Sequence, residues 1–99
     1  MNKTLFYKKL QTLPDGAYDI FYKQKRYLLN KQTLLNGKLI KIYAKELGGN
    51  DIVSGNYYTT IKEGLLKPCE MSEKKVIEFI NELRSKRKFF LFSFLTFHS

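Results

Sequence analysis

At 99 residues the chain is long enough for one domain with a modest core, and its 43% hydrophobic and 15% aromatic content excludes a wholly disordered polypeptide. One cysteine cannot make an internal disulfide, and one cysteine with one histidine cannot supply a tetrahedral metal site, so neither a metal nor another cofactor is expected. Eighteen Lys and Arg against nine Asp and Glu give a formal charge of +9, a balance that suits anionic partners and says little about the fold.

The N-terminus, MNKTLFYKKLQTLPDG, is basic but lacks the apolar run and small-residue cleavage site of a secretory signal, which points to the cytoplasm. Within it, Leu5, Phe6, Leu10 and Leu13 share one side of a helix expected over residues 3–13. Pro14-Asp15-Gly16 stops that helix and turns the chain.

Residues 17–47 are rich in aromatic and β-branched types and read as three strands. Asn36-Gly37 tolerates the positive φ values of a two-residue type I′ hairpin turn, which would set Leu34 opposite Leu39, Gln32 opposite Lys41 and Asn30 opposite Tyr43. A second turn at Gln24-Lys25 would pair Tyr22 with Tyr27 and Ile20 with Leu29. Together the turns send Tyr18, Ile20, Tyr22, Tyr27, Leu29, Ile40, Ile42 and Ala44 to one face. The other face receives Asp19, Phe21, Lys23, Arg26, Leu28, Asn30, Gln32, Lys41, Tyr43 and Lys45. Lys31 and Thr33 fall on the apolar side, where Lys31 would snorkel at an edge or a bulge would intervene. A helix over 39–47 is the rival reading, from the spacing of Ile40, Tyr43, Ala44 and Leu47.

A fourth strand follows over 52–60, with Gly55 marking a bulge or a close backbone approach. LLKPC at 65–69 suggests a short further strand. Ser72 then caps a helix whose buried stripe is Val76, Ile77, Ile80 and Leu83, with Phe79 at its margin. The expected architecture is therefore α+β: an N-terminal helix, a four- to five-stranded mainly antiparallel meander, and a C-terminal helix packed on one face, forming a single domain over 1–88. An apolar tail occupies 89–99, directly after Arg84, Lys86, Arg87 and Lys88. That basic-to-apolar sequence suits attachment to an anionic membrane surface, or self-association.

Two sets of residues carry candidate chemistry. Lys23, Arg26, Lys41, Tyr43 and Lys45 combine cations with a stacking ring, as in proteins that bind single-stranded nucleic acid; another protein is the other partner such a surface suits. This gives the leading expectation, a non-catalytic binding or accessory domain. Cys69, near Lys67 and just before the Ser72 cap, is the one thiol, and it either ionises as a nucleophile or packs as a small apolar residue. YAKELGGNDIVSGNYY (43–58) followed by LLKPCEMSEKKVIEFI (65–80) resembles a family of short bacterial proteins, some labelled peptide methionine sulfoxide reductase. The resemblance implies an oxidoreductase in which the Cys69 thiol attacks a sulfoxide sulfur, assisted by Glu70 and by Tyr57 or Tyr58. The GCFWG-like motif of the A-type reductases does not occur in the chain.

Overall fold

The computed structural model describes residues 3–60 and 64–85. Helix α1 (Lys3–Thr12) leads into strands β1 (Gly16–Tyr22), β2 (Lys25–Leu34), β3 (Leu39–Glu46), β4 (Ile52–Tyr58) and β5 (Leu65–Pro68). Helix α2 (Glu73–Glu82) and a two-residue strand β6 (Arg84–Ser85) complete the chain described. The sheet order is β5-β4-β3-β2-β1-β6 and every pairing is antiparallel. The first five strands are thus a meander, and β6 returns from α2 to the far side of β1. The fold is α+β, with one strand more than the sequence led us to expect.

The Asn36-Gly37 hairpin forms as its chemistry dictates. Asn36 and Gly37 both have positive φ, 54° and 87°, and the Lys38 amide donates to the Leu35 carbonyl at 3.1 Å. The resulting register sets Leu34 opposite Leu39, Gln32 opposite Lys41 and Asn30 opposite Tyr43, with residues 39–46 a strand and not a helix. The first hairpin differs from expectation. Its turn lies at Lys23-Gln24, both at positive φ, so Tyr22 pairs with Lys25, Ile20 with Tyr27 and Tyr18 with Leu29. Moving the turn by one residue shifts the pairing by two, and a two-residue shift leaves every side chain that stays in a strand on its original face; Lys23, now in the turn, does not stay.

The inner face is therefore as apolar as the alternation requires. Ile20, Tyr27, Leu29, Ile40, Ile42, Ala44, Val53, Tyr57 and Leu66 are buried there beneath both helices. From α1 come Phe6 and Leu10, with Leu13 just past its end, whereas Leu5 lies half exposed. Phe6 meets the Tyr57 ring edge-on at 5.3 Å. From α2 come Val76, Ile77, Phe79 and Ile80, followed by Leu83. Ser72 caps α2 by accepting from the Lys75 amide at 3.1 Å, and Glu73 favours the positive end of the helix dipole.

Two details of this core correct the sequence reading. Phe79 is not marginal: it is 0% exposed, with Tyr22 and Tyr27 ring centroids 4.9 and 5.1 Å from its own. Lys31 neither snorkels nor sits at a bulge. Its strand is interior, its pairing with Gly16 and Ile42 is continuous, and the residue is 4% exposed. The ammonium donates to the Leu13 carbonyl at 2.5 Å and lies 3.7 Å from Asp15. A carbonyl left over at the end of α1 is thus satisfied by a cation rising from the sheet below, which clamps the helix down. Burial holds the Lys31 pKa below its usual value, with Asp15 acting in the opposite direction. Gly55 marks no bulge: a side chain there would press on the β5 backbone, since a Cβ would stand 3.2 Å from the Lys67 carbonyl oxygen and the Pro68 Cα.

Among the described residues no helix is long and apolar enough to cross a membrane. The expectations for Lys86, Arg87, Lys88 and the 89–99 tail lie outside the described residues.

Because Phe79 fills the centre of the aromatic cluster, Phe79→Ala should lower stability by about 3–5 kcal/mol. Urea unfolding followed by circular dichroism measures it; a loss of under about 1 kcal/mol would contradict this packing.

Candidate binding surface

The face of the sheet turned away from α1 and α2 follows from the same register. Its rows can be read across neighbouring strands, with side chains on adjacent strands about 5 Å apart. One row runs Arg84, Phe21, Arg26 over β6, β1 and β2. The next runs Asp19, Leu28, Lys45, Ile52, and a third runs Ala17, Asn30, Tyr43, Ser54. A fourth carries Gln32, Lys41, Asn56, Lys67.

Charge on this face is one-sided. Arg26, Lys41, Lys45, Lys67 and Arg84 are exposed, and the strands offer Asp19 as the carboxylate on this side. Asp19 is already engaged, accepting from an Arg26 Nη at 2.8 Å. Tyr43 stands between Lys41 and Lys45 on β3, 48% exposed, with the shorter Asn30 and Ser54 as its neighbours across the sheet. Short neighbours leave the ring standing clear. Leu28 and Ile52 add exposed apolar area beside Lys45.

Of the five expected binding residues, the structure brings Lys41, Tyr43 and Lys45 together and places Arg26 on the same face with its charge partly answered by Asp19. Lys23 leaves that surface. It lies in the β1–β2 turn, and its Nζ sits 5.3 Å from the Tyr22 ring centroid on the helix side of the sheet. Lys67 and Arg84 join the face instead, through β5 and β6. Lys67 was readable from the alternation of LLKP once β5 is placed; Arg84 belongs to a two-residue strand with no period of its own.

Cys69, Glu70, Tyr57 and Tyr58 are distributed differently. Cys69 is exposed just beyond β5, where its amide donates to the Ser54 carbonyl at 3.2 Å. Glu70 follows at a positive φ of 56°. Tyr57 and Tyr58 are successive strand residues and point to opposite faces, Tyr57 into the core against Phe6 and Tyr7. Three strand positions separate Ser54, which faces Cys69, from Tyr57, about 10 Å along β4. Among the described residues no three His, Cys, Asp or Glu side chains group as metal ligands.

Sequence reasoning missed one polar assembly altogether. Asp51, just before β4, accepts from the Tyr27 hydroxyl at 2.7 Å and from Lys75 Nζ at 2.6 Å. This ties the β3–β4 turn to α2. Partial burial opposes ionisation of Asp51, but the hydrogen bonds from Lys75 and Tyr27 outweigh it and hold the carboxyl below its ordinary pKa. Burial, and then the hydrogen bond to Asp51, push the Tyr27 hydroxyl up.

Comparison with family models, with curated proteins and with solved structures finds no match for this chain.

The lowered Asp51 pKa has a definite sign in stability. The unfolded chain binds this proton more readily than the native one, so the stabilisation is present above the ordinary carboxyl value of 3.8 and is lost as pH falls below it. Asp51→Asn should therefore flatten the fall in urea midpoint between about pH 5 and pH 2 relative to the unaltered chain. Parallel acid limbs for the two proteins would contradict the assignment.

Proposed function

We propose that this chain is a non-catalytic cytoplasmic binding domain whose outer sheet face takes single-stranded nucleic acid. One observation carries the reading: among the described strand residues, five exposed cations share that face with a single carboxylate, and the half-exposed Tyr43 ring stands between two of them. Cations that follow a phosphate backbone, with an aromatic platform for bases, are the physical basis of sequence-tolerant single-strand binding. Asn30, Gln32 and Asn56 add amide donors and acceptors beside the ring for base edges. The helices leave this face clear because they pack together on the opposite one.

The two contributions separate experimentally. In a fluorescence anisotropy salt series with a labelled oligonucleotide, Lys41→Ala/Lys45→Ala should weaken binding and lower the salt slope by about 1.4, since each phosphate contact to a single strand contributes about 0.7. Tyr43→Ala should cost about 1–3 kcal/mol with the slope unchanged. Absence of binding at low salt, or wild-type affinity in both variants, would contradict the proposal and leave an acidic protein surface as the partner to test.

A further inference from the structure

A second basic feature lies on the helix side, at the end of the sheet where the β1–β2 turn meets the start of α2. It is a cleft of about 350 Å³. Lys23 and Lys25 line it from the hairpin, Lys74 and Lys75 from α2, and Tyr22 and Tyr27 from the sheet between. Two carboxylates, Asp51 and Glu78, also border it.

These charges do not cancel. Each Asp51 oxygen already holds a partner: Oδ2 accepts from Tyr27 and Oδ1 from Lys75, so Asp51 and Lys75 neutralise one another. Glu78 lies 3.9 Å from Lys74, at the limit of an ion pair, with both side chains exposed. Lys23, Lys25 and Lys74 therefore face the cleft against the one charge of Glu78, which leaves a net charge of about +2.

The hairpin supports the same reading. Lys23 and Gln24 both adopt positive φ, 49° and 66°, a conformation that Asn-Gly takes at far lower cost. That turn presents Lys23 and Lys25 to one rim. The cations of the lining are all lysines, which act as point charges and suit a compact multiply charged anion.

We infer that this cleft binds a small phosphorylated ligand, its phosphates held by Lys23 and Lys25 on one side and Lys74 on the other. The volume is within the range of small-molecule sites. Free phosphate compounds and nucleotides share this chemistry.

Isothermal titration calorimetry of the full chain at low salt, with inorganic pyrophosphate and separately with ADP, tests the assignment. One ligand should bind per chain, and Lys23→Ala/Lys25→Ala should raise Kd about tenfold or more, equivalent to about 1.4 kcal/mol. Lys74→Gln should weaken binding several-fold, while Lys8→Ala/Lys38→Ala, exposed lysines outside both the cleft and the outer-face rows, should leave Kd within about twofold. ADP binding well above pyrophosphate would assign the site to nucleotides, and equal binding would assign it to the phosphates alone; either upholds the site. No heat with either ligand, an unchanged Kd in the Lys23/Lys25 variant, or equal losses in the Lys8/Lys38 variant would overturn it. Unaltered urea midpoints in the lysine variants would show that the losses do not come from unfolding.

Discussion

Everything in this structure depends on the register between β2 and β3, which the Asn36-Gly37 turn sets. Strand side chains alternate with a period of two, so a slip of one residue would exchange the faces completely. Lys41 and Lys45 would then enter the core, and Ile40, Ile42 and Ala44 would face solvent. The turn residues prevent this because both favour positive φ, and the Lys38 amide closes the loop on Leu35. The hydrophobic pattern points the same way, so local turn geometry and burial select one pairing between them.

That agreement explains how much of the fold was legible beforehand. Alternation and a strong turn are local properties, and they foretold the meander, both faces and the Lys41–Tyr43–Lys45 array. The Lys23-Gln24 turn was not legible, because neither residue carries the signature of positive φ, and the expected turn was Gln24-Lys25. The faces survived only because moving the turn by one residue changes the pairing by two. Phe79 looked marginal by helical spacing, but its surroundings are set by Tyr22 and Tyr27, more than fifty residues away in sequence. Lys31 broke the pattern for a tertiary reason as well: the carbonyl that receives its ammonium belongs to Leu13.

The candidate surfaces divide along the same line. Positions on long strands could be assigned from the pattern, whereas Lys67 and Arg84 reach the outer face through strands of four and two residues. The helix-side cleft was invisible in the sequence, since its lysines come from a hairpin and a helix that only the fold brings together. The acids lie where they answer particular cations. Asp19 meets Arg26, Asp51 meets Lys75, and Asp15 lies beside Lys31 while accepting from the backbone amide and hydroxyl of Thr33. Among the described residues, Lys41, Lys45, Lys67 and Arg84 on the outer face and Lys23 and Lys25 at the cleft rim carry much of the remaining positive charge.

One scheme of face selection thus underlies both the packing and the functional reading, and it can be measured residue by residue. With Cys69 replaced by serine, single cysteines at positions 41, 42, 43 and 44 would be probed for their rate of thiol labelling under native conditions. Cysteines at 41 and 43 should label about as fast as an unfolded peptide, and those at 42 and 44 only as fast as the chain opens. Uniform rates along the strand, or the reverse alternation, would contradict the account at its root.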